Sequence, residues 1–220
     1  MRVVVVTSGK KGGVGKTTVS ASFAYGLAAR GHKTVVVDFD IGLRNLDLHL
    51  GAERRVIFDF VNVTLGECTL NQALIKDRRN PSLYLLAASQ TRDKDVLTME
   101  GVSKILEKLK KDIESGAKHA MYFADDAIIT TNPELSACRD SDKMIGFISS
   151  KSKRAEEGRP LVNQRLLVNR YDSVWAAAQD ILQLSDITEI LCLKLIGVVP
   201  ESKAAPAGRG LAATCKVSTG

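Results

Sequence analysis

The sequence predicts an α/β fold of three layers, in which helices cover both faces of a mostly parallel sheet. Three observations predict it. Short apolar, β-branched runs alternate with stretches of helical period, the pattern of a sheet built from βα units. A glycine-rich loop joins the first of these runs to the first helical stretch, the commonest entry into such a fold. The chain has 220 residues, of which 45% are hydrophobic, enough to bury one substantial core. One large domain is the expectation, opened by that loop.

The strands are expected at Val3–Val6, Thr34–Val37, Leu83–Ala87, Ala127–Thr131, Leu166–Val168 and Leu195–Val199. After the loop, Phe23, Leu27 and their neighbours form an apolar stripe, and Gly31 is placed to end that helix. Met99, Val102, Ile105, Leu106 and Leu109 make a second stripe, with Thr98 as its N-cap. A third helix runs from about Ile113 to Ala124, a fourth follows Ser136, and a fifth follows Ser185 through Ile187, Ile190 and Leu191. Residues 151–164 are charged and carry Gly158 and Pro160, so they read as a solvent loop. Trp175, the single tryptophan, is expected in the core. Residues 204–220 are rich in small residues and show neither period, so an irregular tail is expected after a domain spanning 1–203.

Charge and cysteine content narrow the function classes. The net charge of +6 lies in the first half, where residues 1–110 hold 17 Lys and Arg against 11 Asp and Glu, while 111–220 hold 14 of each. Attraction for nucleotide phosphates is the economical reading of that excess. Cys68, Cys138, Cys192 and Cys215 are far apart and form no C-x-x-C, so neither a zinc site nor a disulfide framework is indicated. A cytoplasmic protein with reduced thiols is expected. No apolar run is long enough for a membrane span, and the first is too short for a signal peptide.

The chemistry concentrates in SGKKGGVGKTT, Ser8–Thr18. A phosphate loop is written G-x-x-x-x-G-K-[ST]; its glycines let successive backbone N–H groups turn inward, and the helix that follows aims its positive end at the phosphates. Gly12, Gly13 and Gly15 supply that freedom, Lys16 reaches the β- and γ-phosphates, and the Thr17 hydroxyl ligates Mg²⁺. Counted back from Lys16, the first glycine is due at position 10, where the chain has Lys10, and Gly9 stands one residue early. A lysine held at positive φ costs about 1 kcal/mol more than a glycine, tolerable for binding. Asp38 and Asp40 follow the second strand, at the sheet edge where ligands gather; one of them can position the attacking water or support Mg²⁺ through its shell.

KGGVGKTT, Lys11–Thr18, resembles the deviant Walker A motif of the MinD/ParA ATPase family, whose extra signature lysine precedes the paired glycines. The MinD branch is the detailed match, through VVVDFDIGLRNLDL (Val35–Leu48), ERRVIFDFVNV (Glu53–Val63), TLNQALIKD (Thr69–Asp77), ASQTRDKDVLT (Ala88–Thr98), YFADDAIITTNPE (Tyr122–Glu134) and RDSDKMIG (Arg139–Gly146). The resemblance implies a P-loop NTPase fold, ATP and Mg²⁺ as cofactors, and an ATPase of division-site selection that works as an ATP-dependent homodimer. It implies that Lys11 reaches across to the partner's phosphates. Gly12, Gly13, Val14, Gly15, Lys16, Thr17 and Thr18 bind nucleotide, and Thr17 ligates Mg²⁺. Asp40 orients water and supports Mg²⁺ from the second shell. Asn169, Arg170 and Pro200 lie by the adenine. A MinC-like inhibitor, a MinE-like activator and the inner face of the bacterial cell membrane are the partners implied, with no nucleic acid.

Two departures qualify that picture. The family places a hydrophobic strand ending in Asp-x-Pro-Ala-Gly where this chain reads KKDIESGAK, so one central strand is expected to be missing near 111–115. Such a gap removes the γ-phosphate-sensing switch and predicts that hydrolysis suffers more than binding. The family also ends in a basic amphipathic helix that the tail after Ser202 does not match, so direct membrane attachment is not expected. A non-hydrolysing nucleotide-binding interaction protein and a decayed paralogue are the alternative readings, and a ParA-like DNA-partitioning ATPase is the weaker one.

Overall fold

The structure is a computed structural model that describes residues 2–9, 12–40, 44–90 and 124–202. These fall into two compact units, one holding 17–40 and 44–90, the other 2–9, 12–16 and 124–202. The helices expected at 98–109 and 113–124, the missing strand near 111–115 and the tail at 204–220 lie outside the described residues.

In the second unit four parallel strands run in the order β1 (Val4–Thr7), β5 (Asp126–Thr131), β6 (Asn163–Tyr171) and β7 (Lys194–Pro200). Register sets Val5 beside Ala127 and Ile129 beside Leu166. The Val and Ile runs suit this because β-branched side chains pack well on a pleated, buried surface. Val5, Ala127 and Ile129 pack with Ile148 of α5 (Leu135–Lys151). Leu166 and Val168 pack with Cys138 of the same helix and with Ile187 and Leu191 of α8 (Leu184–Leu191). α8 opens on a capping box in which the Asp186 carboxylate accepts from the Gln183 N–H.

The first unit has a three-stranded sheet, β2 (Thr34–Val37), β4 (Leu83–Leu86) and β3 (Ile75–Lys76), parallel across the first pair and antiparallel across the second. Its core joins Val36, Leu83 and Leu85 to α1 (Lys16–Ala29) and to Leu46 and Leu50 of α2 (Leu46–Leu50). The α/β class with a mostly parallel sheet therefore holds, and each of the six expected strands is found within a few residues of its place.

Four expectations change. α1 turns Ala21, Ala24 and Ala28 to the core and leaves Phe23 37% exposed, because three alanines on one stripe let helix and sheet approach closely. The stretch 151–164 is not all loop: it holds a short helix, α6 (Lys153–Glu156), capped by the Ser152 hydroxyl, and the start of β6. Trp175 is 59% exposed on α7 (Ser173–Ala177), where the Asp172 carboxylate caps the N–H groups of Val174 and Trp175. Two further short helices, α3 (Phe60–Leu65) and α4 (Leu70–Ala73), and strand β3 were not anticipated by the apolar pattern.

Candidate nucleotide-binding site

The carboxyl ends of β1, β5 and β6 bring together Thr7, Ser8, Thr130, Thr131, Asn132 and Asn169, all buried, at the edge where open α/β sheets bind ligands. The glycine-rich loop leaves β1 at this edge and re-enters regular structure at Lys16, the first residue of α1. Gly13 at φ 79° and Gly15 at φ 86° occupy the left-handed region, where a side chain is strained. Between them Val14 is buried, and its carbonyl accepts a 2.8 Å hydrogen bond from Asn169 Nδ2. A Cβ on Gly15 would collide with that same amide. Asn169 therefore reaches the loop as well as lying in the segment expected beside the base.

Lys16 Nζ donates to Ser8 Oγ at 3.2 Å, across the loop from its own helix. Thr17 and Thr18 follow in the first turn of α1. At the loop's other end Gly9 lies against α5 so closely that an added Cβ would come within 3.0 Å of the Asp140 carbonyl and the Ser141 nitrogen. The need for glycine there is space, since Gly9 is not among the residues of positive φ. Lys10 and Lys11 lie outside the described residues.

Arg170, at φ 58°, is exposed and held by Glu201, with Nε 2.6 Å and Nη2 3.3 Å from the carboxylate oxygens. That hydrogen bond, with the charge behind it, raises the Arg170 guanidinium pKa. Pro200 ends β7 opposite Tyr171, so Arg170 and Pro200 flank one short stretch of sheet edge. The Oδ1 of Asn132 and the Oγ1 of Thr130 are buried without a hydrogen-bond partner, a polar demand that a ligand at this edge would meet. Nothing in the spacing of residues singles out Asn132, whose neighbours read only as the end of a strand.

In the other unit the chain leaves β2 through Asp38 and Asp40. Asp38 is buried and its two oxygens accept from the N–H groups of Asp40, at 3.0 Å, and Leu46, at 3.1 Å. Burial pushes its carboxyl above the ordinary range, against the pull of those two donors. Asp40 itself is exposed, and its carbonyl accepts from the Arg44 N–H. Asp38 thus ties down both ends of the loop that presents Asp40, a role that neither carboxylate's position in sequence revealed. Among the described residues no cluster of His, Cys, Asp and Glu has the arrangement of a metal centre built from protein ligands alone. The polar loop edge instead suits a phosphate-bound Mg²⁺ with few protein ligands, the usual way this ion is held.

The family described as the CobQ/CobB/MinD/ParA nucleotide binding domain matches residues 4–210. The chain belongs to this family. The septum site-determining protein MinD of Escherichia coli K12 is 58% identical over 214 residues, covering 92% of this chain and 79% of that protein. MinD of Neisseria meningitidis is 55% identical over 216 residues, with the same coverage. Because the 214 aligned positions take up only 92% of a 220-residue chain, part of the aligned E. coli protein faces no residue here. Among solved structures, the MinC:MinD cell division complex of Aquifex aeolicus superposes with TM-score 0.78 at 38% identity, covering 92% of this chain and 83% of that one. MinD of Pyrococcus horikoshii complexed with Mg-ADP superposes with TM-score 0.73 at 25% identity, covering 91% and 82%. This is accordingly a MinD-type P-loop ATPase of septum-site determination.

Proposed function

We propose that the loop Gly12–Thr18 holds ATP·Mg²⁺ through its backbone N–H groups and Lys16, with the Thr17 hydroxyl on the metal and residues 1–203 acting as one ATPase domain. The observation that carries this is the cradle itself: left-handed Gly13 and Gly15, Val14 fastened by Asn169, and Lys16 drawn back across the loop to Ser8. Mg²⁺, when bound, offsets charge on the β- and γ-phosphates. Asp40 orients the attacking water and supports the metal through its shell, and Asp38 keeps the Asp40 loop in place. Arg170, steadied by Glu201, and Pro200 border the base together with Asn169. Lys11 serves the partner's phosphates in an ATP-dependent homodimer.

A MinC-like inhibitor is the partner that the Aquifex complex favours, since that complex pairs MinC with a relative of 38% identity. A MinE-like activator of hydrolysis and a place at the inner face of the cell membrane complete the reading, with no nucleic-acid partner. Among the described residues no helix is long and apolar enough to cross a membrane. A second reading, ATP binding without turnover, draws on the residues of the E. coli relative that this chain lacks.

The test is thermal unfolding of the full chain with and without Mg·ATP, beside ATP turnover, in the parent and in Lys16→Ala. Ligand at a hundredfold excess over Kd stabilises by about 2.7 kcal/mol, so the midpoint should rise in the parent alone. Turnover that disappears in Lys16→Ala supports the ATPase, and a shift without turnover selects the second reading. A midpoint that ignores ATP refutes both.

A further inference from the structure

The charge excess of the first half has a location that the nucleotide site does not absorb. Residues 49–55 and 76–80 carry Arg54, Arg55, Lys76, Arg78 and Arg79 against only Glu53 and Asp77. Between these two segments lies a cleft of about 230 Å³, with His49, Leu50, Gly51, Arg55, Arg78 and Arg79 among its lining. No acidic side chain lines it.

Two of the cations are fixed in place. Arg79 Nη2 donates to Asp77 at 2.7 Å and to the Leu50 carbonyl at 3.3 Å, and its guanidinium sits 5.3 Å from the Tyr25 ring centre. Arg55 Nη2 donates to the Lys76 carbonyl at 2.6 Å. Arg55 and Arg78 make no ion pair with any described residue.

Cations beside the last turn of a helix commonly serve its free carbonyls. That use is already filled here. The Gly51 N–H, from a left-handed C-cap, takes the carbonyls of Asp47 and Leu48, and Arg79 takes that of Leu50. Arg78 and the rest of the Arg55 fork are left facing a cleft of like charge, an arrangement that repels itself until an anion enters. Planar guanidinium forks match the oxygens of a phosphate two at a time, and a fork already anchored loses little freedom on binding one.

We propose that this cleft is a second anion site, which takes a phosphate group either on a free small molecule or on a lipid headgroup. It uses none of the residues of the glycine-rich loop, and it does not depend on that loop's function. His49, in the same lining, adds a hydrogen-bond donor to the same group.

The test titrates inorganic pyrophosphate by calorimetry into the full chain, into Lys16→Ala, and into the double variant Arg55→Ser/Arg78→Ser. Vesicles of phosphatidylglycerol and of phosphatidylcholine are sedimented with the same proteins. Pyrophosphate should keep one site in Lys16→Ala, in which the glycine-rich loop no longer holds it, and that cleft site should weaken about tenfold or more in the arginine variant, with the effect fading as salt is added. Arg78→Ser alone, which breaks no hydrogen bond of the described chain, should show a partial loss and keep the parent's melting midpoint. Pelleting with phosphatidylglycerol that needs the two arginines assigns a headgroup, and pyrophosphate binding without pelleting assigns a free phosphate. The proposal fails if the arginine variants bind both probes as the parent does, if Lys16→Ala alone removes pyrophosphate binding, or if the parent binds neither probe.

Discussion

Replacing Gly9 by alanine adds a single carbon, and the structure says where it must go. The carbon would come within 3.0 Å of the carbonyl group of Asp140 and of the Ser141 nitrogen, all backbone atoms of α5. Carbon atoms rest at about 3.5–4.0 Å and the added carbon would fall far inside that distance, so loop and helix must move well apart. No flexible side chain can yield in their place. α5 is held by Cys138 and Ile148, both wholly buried in the two cores beneath it. Moving it strains those contacts as well, which puts the cost at the upper part of the usual range for overpacking, about 2–3 kcal/mol. For a chain of this size that lowers the melting midpoint by about 4–12 °C. The assay is calorimetric melting, with Gly146→Ala as its control. Gly146 lies on the same helix, and a Cβ there meets nothing within 4 Å. It should raise stability by about 0.5–1 kcal/mol through helix propensity. The same substitution at two positions thus has opposite signs. A Gly9→Ala midpoint within about 2 °C of the parent refutes the close approach of loop and helix.

Three further outcomes are expected. Asn169→Ala leaves the buried Val14 carbonyl without its donor, costing about 1–3 kcal/mol, and should weaken ATP binding beyond that of a surface control such as Ser150→Ala, measured by titration calorimetry. At Asp77, burial raises the carboxyl, but the Arg79 side chain and the backbone N–H groups of Arg79 and Asn80 together outweigh it and hold the group below its ordinary range. The stability it contributes is present above about pH 4 and is lost as pH falls through the lower folded value, so Asp77→Asn should flatten the acid limb of a melting-midpoint profile; an unchanged limb counts against the pair. Trp175, the sole tryptophan and 59% exposed, should be quenched freely by acrylamide, and protected emission means that another surface covers it.

What was legible in the sequence had a short range. Apolar, often β-branched runs of three to five residues marked the strands, and the left-handed glycines sit inside a motif that is read from eight consecutive residues. α1 misled because hydrophobicity ranks Phe23 above alanine, whereas close packing on a sheet selects Ala21, Ala24 and Ala28. α2, α3 and α4 are too short to show a period. Each is defined at its ends, as where Asp59 and Asn62 close a capping box around the start of α3. Trp175 sits among Val174 and Ala176 and so reads as core, yet the Asp172 cap turns the short helix with its apolar pair outward. The long-range parts of the site had no signal at all. Asn169 meets Val14 across 155 positions, and Gly9 meets Asp140 through space that neither segment announces.

Those two long-range contacts also show where the loop is held on either side of the extra lysine. A first glycine can be needed for its torsion or for the room it leaves, and at Gly9 the need is room. Downstream, Val14 is buried and tied to Asn169, and the left-handed turns at Gly13 and Gly15 feed directly into α1 at Lys16. The loop is therefore anchored at Gly9 and again from Gly13, and the additional residue falls between those anchors, at Lys10 and Lys11. Residues 12–17 keep their spacing to one another whatever is inserted before them, so this part of the loop retains its register. Insertion at any position between Gly13 and Lys16 has no such freedom, because there each residue is fixed by a left-handed turn, a buried side chain or a helix start.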